Sequence, residues 1–479
     1  MSQTVYSTDA ANYRTDATKS ICNHLEKMLT NVPLGTNLGL YQMMMAMVSG
    51  RFLESRGAVF PALEDMGLTP DEVRRSSAAL RQGRWKTQDL LSCWQQSVLQ
   101  ESYFSPNCYG GFCPVPCDMT GFRRPALKDN PAKHYVAEAG KALPAIVVGI
   151  AVAVGKLKNA SQGSSSDKGS SSRFALPRLL VRWEPGDTKE ANVQTRLIEQ
   201  AGKTLSPQEV AVFDAGFSLA EVRALVPRFV VRMAKNDTVR RNFLPEYKGI
   251  GRHCEYGQVV RPLARTRDGK DFDATDSDTT FYWQEGNVRL HAKIWREVVL
   301  PGEKVVLPSE KVVLPSEKAG AQTLTVVAIF DPRHKEPLLL ATNLEVCPQV
   351  LHCLYRDRWA VEHLPLAAKP MLGCGAAFVF GQESRLRLPE LALLSGNVLS
   401  YVAATCSAVA TGFWDRVCRA TCGRLRRVLN RLSFSELSVV GEQLRKKASV
   451  TSHLKTGVEG HRRQKASKVT PEPLETAPI

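Results

Sequence analysis

The hydrophobic pattern changes character several times along the chain. Over the first hundred residues apolar positions recur at helical spacing, and one helix start is well marked. Thr69 stands as N-cap, Pro70 at the first helical position and Glu72 where a capping box needs it. That helix carries Arg74, Arg75 and Arg81 and breaks near Gly83. A second amphipathic segment follows, with Trp85, Leu90, Leu91 and Trp94. Two short helices with basic faces suit docking to DNA, and they suit a small helical bundle equally well. From about Asp118 the pattern turns to short apolar runs between turn residues. Ala145 to Val154 and Ala175 to Trp183 read as strands, Ala191 to Ala201 as a helix, and Glu209 to Phe213 as a strand ending on Asp214. Leu219 to Leu225 reads as a helix and Arg228 to Met233 as a strand, so the alternation predicts an α/β sheet.

Other stretches break that rhythm. Asn159 to Ser172 is rich in Ser and Gly and reads as a flexible surface loop between two strands. From about Asn242 to Thr325 aromatic and β-branched residues alternate with Gly and Asp turns, which predicts a strand-rich inserted subdomain. Within it a heptapeptide recurs in tandem at Val298 to Lys304, Val305 to Lys311 and Val312 to Lys318. Each copy holds a proline, so the seven-residue period marks a duplicated surface loop, not a coiled coil. Asp268, Asp271, Asp273, Asp276 and Asp278 lack the glycine and terminal glutamate of a calcium loop and read as a solvated turn. After about Val440 too little apolar content remains to order the chain. The divisions are a helical N-terminal region (1–105), a first part of the α/β core (106–240), a β-rich insertion (241–334), a second part of the core (335–440) and a basic tail (441–479).

Composition narrows the classes. With 43% hydrophobic and 23% charged residues among 479, the chain is that of a globular protein with a sizeable core. No secretory leader is recognisable over the first thirty residues. The most apolar run, Ala142 to Val154, is too short to cross a bilayer and is interrupted by Pro144 and Gly149. A cytoplasmic protein without a membrane partner is the expectation. The twelve cysteines should then be reduced, with no Cys-x-x-Cys pair, and Cys108, Cys113 and Cys117 read as core or loop residues rather than metal ligands. The net charge is +16, and between Arg416 and Lys468 fourteen Lys or Arg face three Glu. A basic concentration of that kind attracts polyanions such as DNA, RNA or an anionic membrane; its bland reading is a solvated tail.

The most informative segment is Leu354 to Met371, which holds Tyr355, Arg358, Glu362 and Lys369. At roughly 100° per residue these four lie within about 60° of one another, so one helix face presents phenol, guanidinium, carboxylate and ammonium together. An ordinary amphipathic helix with an Arg358–Glu362 pair is the plain alternative. Pro365 predicts a kink between Glu362 and Lys369.

Tyr, two residues, Arg, three residues, Glu, six residues, Lys resembles the signature of the bacterial DDE transposases of the insertion-sequence-four family, and the chain matches that spacing in full. The resemblance runs from about Asp118 to Leu425. It supplies candidates for the other two acids, Asp118 in CDMTGFRRP and Asp214 in VFDAGF. It implies a ribonuclease-H-like core with a β-rich insertion between the second Asp and the Glu, and a helical N-terminal region that binds DNA. It also implies cut-and-paste transposition, in which a dimer on paired ends cleaves the terminal inverted repeats and joins them to target double-stranded DNA, associating with the bacterial nucleoid when bound. Asp118, Asp214 and Glu362 would then be catalytic and hold two Mg²⁺ or Mn²⁺ ions, since hard cations prefer oxygen ligands and a metal pair can activate the nucleophile and neutralise the leaving oxygen. Tyr355, Arg358 and Lys369 would contact phosphates. Trp359 would stack on a displaced base, the alternative being an aromatic packed beneath the helix. Thr120 would help orient Asp118. Two rival readings are a metal-dependent nuclease of the same fold and a degenerate relative that occupies DNA without cutting.

Overall fold

The computed structural model describes residues 2–124, 132–158, 173–247, 249, 252–305, 323–376, 378–406, 421–430 and Leu444. The Ser-rich loop, all of the second heptapeptide copy but Val305, the third copy and nearly all of the basic tail lie outside the described residues. Among the described residues no helix is long and apolar enough to cross a membrane.

The protein is a mixed α/β structure built on one large sheet. Its centre is five strands in the spatial order Arg173–Arg182, Lys141–Leu157, Cys113–Arg123, Glu209–Phe213 and Phe229–Arg232. In chain order, the strand Cys113–Arg123 comes first, and the next two add antiparallel to one another on one side of it. The helix Glu190–Thr204 then crosses the sheet, burying Val193, Leu197, Ile198 and Ala201, so that Glu209–Phe213 enters parallel to the first strand on its other side. A short helix, Leu219–Leu225, connects to Phe229–Arg232, again parallel. The parallel strands are buried on both faces, as their near-continuous Val, Ala and Phe content requires.

The predicted boundaries fall close to the observed ones. The first central strand itself was not predicted, because Pro114 and Pro116 argue against an interior strand. The pairing explains why they are tolerated. The Cys113 amide donates across to the Gln208 carbonyl, so the proline nitrogens at alternate positions face away from the parallel neighbour. On that other side the antiparallel partner is paired only from Cys117 onward.

The insertion is not a separate subdomain. Leu338–Thr342 adds antiparallel to Phe229–Arg232, and Leu324–Phe330, Val288–Val299 and Val239–Arg241 continue the same sheet outward. Main-chain edges that would otherwise be exposed are thus used to extend the central sheet.

The N-terminal helices cover one face of this sheet together with the long helix Gln382–Thr405. The capping box at Thr69 and Glu72 is formed, opening the helix Pro70–Gln82. Val73, Ser76, Ala79 and Leu80 face inward while Arg74 and Arg81 are exposed. The next helix, Thr87–Gln100, turns Leu90, Leu91 and Trp94 inward, and the Trp94 indole donates to Asn397 Oδ1 at 2.8 Å. Thr87 donates to the buried Glu390, which Arg182 of the sheet also binds. One hydrophobic cluster runs from Met28, Tyr41 and Trp94 through Val148 and Ile150 to Leu391. The helical region is therefore packed into the core.

Cys108 and Cys113 are joined by a disulfide, which corrects the expectation that all cysteines are reduced. The loop they close immediately precedes the first central strand. Cys117 is buried and free, as expected of a core residue.

Candidate active site

Two of the three candidate acids are brought together by strand register. Cys117 lies opposite Phe213 in the parallel pair, so Asp118 and Asp214 occupy equivalent positions one residue further on; Asp214 directly follows the end of its strand, while Asp118 lies midway along the longer strand Cys113–Arg123. The third acid arrives on the helical segment that starts with Pro348–Arg356. The turn Asp357–Glu362 is tightened to 3-10 geometry, His363–Leu366 returns to α, and Ala367–Met371 widens to a π turn around Pro370. The expected kink between Glu362 and Lys369 thus takes the form of successive changes of pitch. The four signature residues still face one site.

Arg358 is the hub of that site. Its guanidinium lies 3.9 Å from Asp118 Oδ2, 3.5 Å from Asp214 Oδ2 and 3.3 Å from Glu362 Oε1, with only 9% of the side chain accessible. Tyr355 donates its hydroxyl to Asp214 Oδ1 at 2.9 Å, and Arg232 reaches the same oxygen at 3.5 Å. Lys369 donates to Thr120 Oγ1 at 2.7 Å and lies over the Phe122 ring. Thr120 therefore holds the lysine, while Asp118 accepts from the Met119 amide. Trp359 is 55% exposed, which overturns the reading of an aromatic packed beneath the helix.

The electrostatics separate the three acids. Burial pushes Asp118 above the usual carboxylate range and the Asp214 charge adds to it, against the Met119 amide and Arg358. Glu362 is raised for the same reasons, burial first, with Asp118 and Asp214 repelling its charge while Arg358 opposes. Asp214 goes the other way. Burial pushes it up, but Arg358, the Ala215 amide, the Tyr355 hydroxyl and Arg232 outweigh that and hold it low. Burial, then the nearby Arg123 charge, lowers Lys369 to about 8.

Among the described residues no group of three His, Cys, Asp or Glu side chains is arranged to hold a metal ion. The guanidinium centred among the three carboxylates supplies the compensating positive charge. The donor set itself suits a hard divalent cation, being carboxylate oxygen throughout.

Three supporting residues were not found from sequence. Asp357, between two arginines of the signature segment, is fully buried; its Oδ2 accepts from Asn107 Nδ2 at 2.7 Å and the Tyr109 hydroxyl at 2.9 Å, and its Oδ1 is ion-paired with Arg173 Nε at 2.9 Å. It ties the helix carrying Arg358 and Glu362 to the disulfide loop and to the sheet. Asp357→Ala leaves the Asn107 and Tyr109 donors without their acceptor and Arg173 without its ion-pair partner, and a loss of about 1–3 kcal/mol is expected, read as a lowered urea midpoint. Arg232 was legible in principle, since it ends a strand parallel to the two that carry Asp118 and Asp214. His134, whose charge bears on Asp118, carries no local sequence signal.

No protein-family model and no curated protein matches this chain.

Proposed function

We propose that the protein is a DDE transposase, cleaving DNA at transposon ends and joining the freed ends to target DNA. The observation that carries this reading is the convergence of Asp118, Asp214 and Glu362, from two adjacent strands and a distant helical segment, on the single guanidinium of Arg358. The strand order supports it too. A first strand with one antiparallel neighbour and a further strand beyond it on one side, and two parallel strands on the other, is consistent with a ribonuclease-H-like core.

Asp118, Asp214 and Glu362 would hold two Mg²⁺ or Mn²⁺ ions, which supply nucleophile activation and charge neutralisation at the scissile phosphate. The chain's own groups do the rest. Arg358 provides a planar donor fork for phosphate oxygens. Tyr355 and Arg232 keep Asp214 ionised, while Lys369, fixed by Thr120, presents a cation beyond the acids. Trp359 offers an exposed face on which a displaced base can stack. Double-stranded DNA is the partner, held by a homodimer on paired ends, with Arg74 and Arg81 available on the outer face of an N-terminal helix.

The test is an incubation of the full chain with labelled transposon ends, a target plasmid and Mg²⁺. Joined products support transposition. Nicking without joining selects a nuclease of the same fold, and retention without cutting selects a degenerate binder.

Lys369 gives a separate check. Its folded pKa lies below that of the unfolded chain, so its stability contribution is full above the unfolded value near 10.5 and lost as pH falls through about 8. At pH 7 the charged lysine is a cost. Lys369→Met is expected to raise stability there by on the order of 2 kcal/mol while weakening binding of cleaved ends. In the parent protein, end affinity should decline as pH rises through about 8, as measured by fluorescence anisotropy.

A further inference from the structure

The geometry points to a second phosphodiester-binding subsite beside the acids, a cleft of about 490 Å³ in which Arg123 and Lys369 hold a backbone phosphate and Tyr135 stacks the adjoining unpaired base. This inference rests on the reading of the protein as a DNA-processing enzyme. The cleft lies between the far end of the first central strand, the hairpin strand Lys133–Val136 and the π turn that carries Lys369. Its walls include two cations that repel one another, since Arg123 opposes the charge on Lys369. Among the described residues no carboxylate lies within ion-pair distance of Lys369, whose bond is to the neutral Thr120 hydroxyl. Two like charges facing a cavity are stabilised by an anion placed between them, and a phosphodiester carries one charge with two oxygens to share.

The wall opposite is kept in place by a close approach. A Cβ on Gly121 would come within 2.6 Å of the His134 side chain, so only glycine lets the hairpin lie this near the strand. His134 is itself anchored by Glu190 at 2.8 Å. The next residue, Tyr135, is 62% exposed, a large apolar ring left in water at the mouth of a basic cleft. Glu138 also lines the cleft and lies 3.3 Å from Arg123, but its side chain is 84% exposed and free to yield that guanidinium to a phosphate. The combination of a lysine held by Thr120, a half-exposed arginine and an exposed ring fits a single strand, whose bases are available for stacking, better than a closed duplex.

The test uses the full chain with a fluorescein-labelled thymidine oligonucleotide of about 20 nucleotides and a duplex of the same length, titrated at several salt concentrations. Arg123→Ala should weaken single-strand binding about tenfold and lower the salt slope by about 0.7, one phosphate contact. Tyr135→Ala should weaken it about tenfold with the slope unchanged, and Tyr135→Phe should restore it. Both side chains are half-exposed or more, and melting curves verify that the variants fold. If Arg123→Ala and Tyr135→Ala bind the oligonucleotide as the parent does, the subsite is overturned; Mg²⁺-dependent cleavage by the parent would then leave the enzymatic reading standing. If the parent neither binds nor cuts either DNA, both fall together. Equal losses for duplex and single strand overturn the assignment of the cleft to an unpaired strand.

Discussion

Asp118→Asn, Asp214→Asn and Glu362→Gln are each expected to reduce Mg²⁺-dependent DNA cleavage by at least about 10²–10³-fold, with end binding largely kept. Each amide preserves size and removes one anionic oxygen from the donor set. Stability then separates the three. Asp118 and Glu362 are raised in the folded protein, so their contribution is full below the unfolded pKa and lost as pH rises through the folded one. At neutral pH their charge is a cost, and the amides should melt at higher temperature than the parent in metal-free buffer. Asp214 is held low, so its contribution is present above the unfolded pKa and lost as pH falls. Asp214→Asn should melt lower at pH 7, since Tyr355, Arg232 and Arg358 lose a charged acceptor. Thermal melts with and without Mg²⁺ give both readings. A variant that cleaves normally removes its residue from the mechanism, and identical melting shifts for all three would contradict the described asymmetry.

What was legible in the sequence follows from where each signal resides. Glu209–Phe213 and Leu219–Leu225 were placed to the residue, because a buried parallel strand and a short capped helix are specified by contiguous residues. The signature spacing marked Tyr355, Arg358, Glu362 and Lys369 for the same local reason. The exposure of Trp359 was not legible locally, because it depends on what packs around this segment: Ala360 and Leu364 beside it are buried.

Other features depend on partners distant in the chain. The strand carrying Asp118 was hidden by prolines whose tolerance depends on which neighbour pairs at each position. The insertion's union with the central sheet rests on Leu338–Thr342 pairing with a strand about a hundred residues earlier. Asp357 is an unremarkable acid between two arginines until Asn107, Tyr109 and Arg173 arrive from elsewhere. The 3-10 and π turns between Asp357 and Met371 follow from tertiary packing around Pro365 and Pro370, which an ideal helical wheel does not include.

Arg358→Met is expected to lose about 3–5 kcal/mol at pH 7 without metal, because three carboxylates then share a half-buried site without their central cation. The loss should depend on pH in a defined direction. Without the guanidinium the acids bind protons more tightly in the folded than in the unfolded chain, so the variant's stability is kept at low pH and lost as pH rises. If the acids hold a divalent ion as proposed, that ion is expected to take over the missing charge. Mg²⁺ at about a hundred times its dissociation constant adds about 2.7 kcal/mol. Removal of the competing guanidinium should also let the variant bind the ion more tightly than the parent does. Cleavage, by contrast, should stay reduced by about 10²-fold even at saturating Mg²⁺, because no fork remains for the phosphate oxygens. Arg358→Lys should recover most of the metal-free stability and little of the cleavage, since a lysine keeps the charge and loses the planar geometry. Isothermal titration with Mg²⁺ beside melting curves separates the two roles. If the variant's Mg²⁺ affinity equals the parent's, the guanidinium and the ion do not compete for these carboxylates, and the three acids are not a metal cradle.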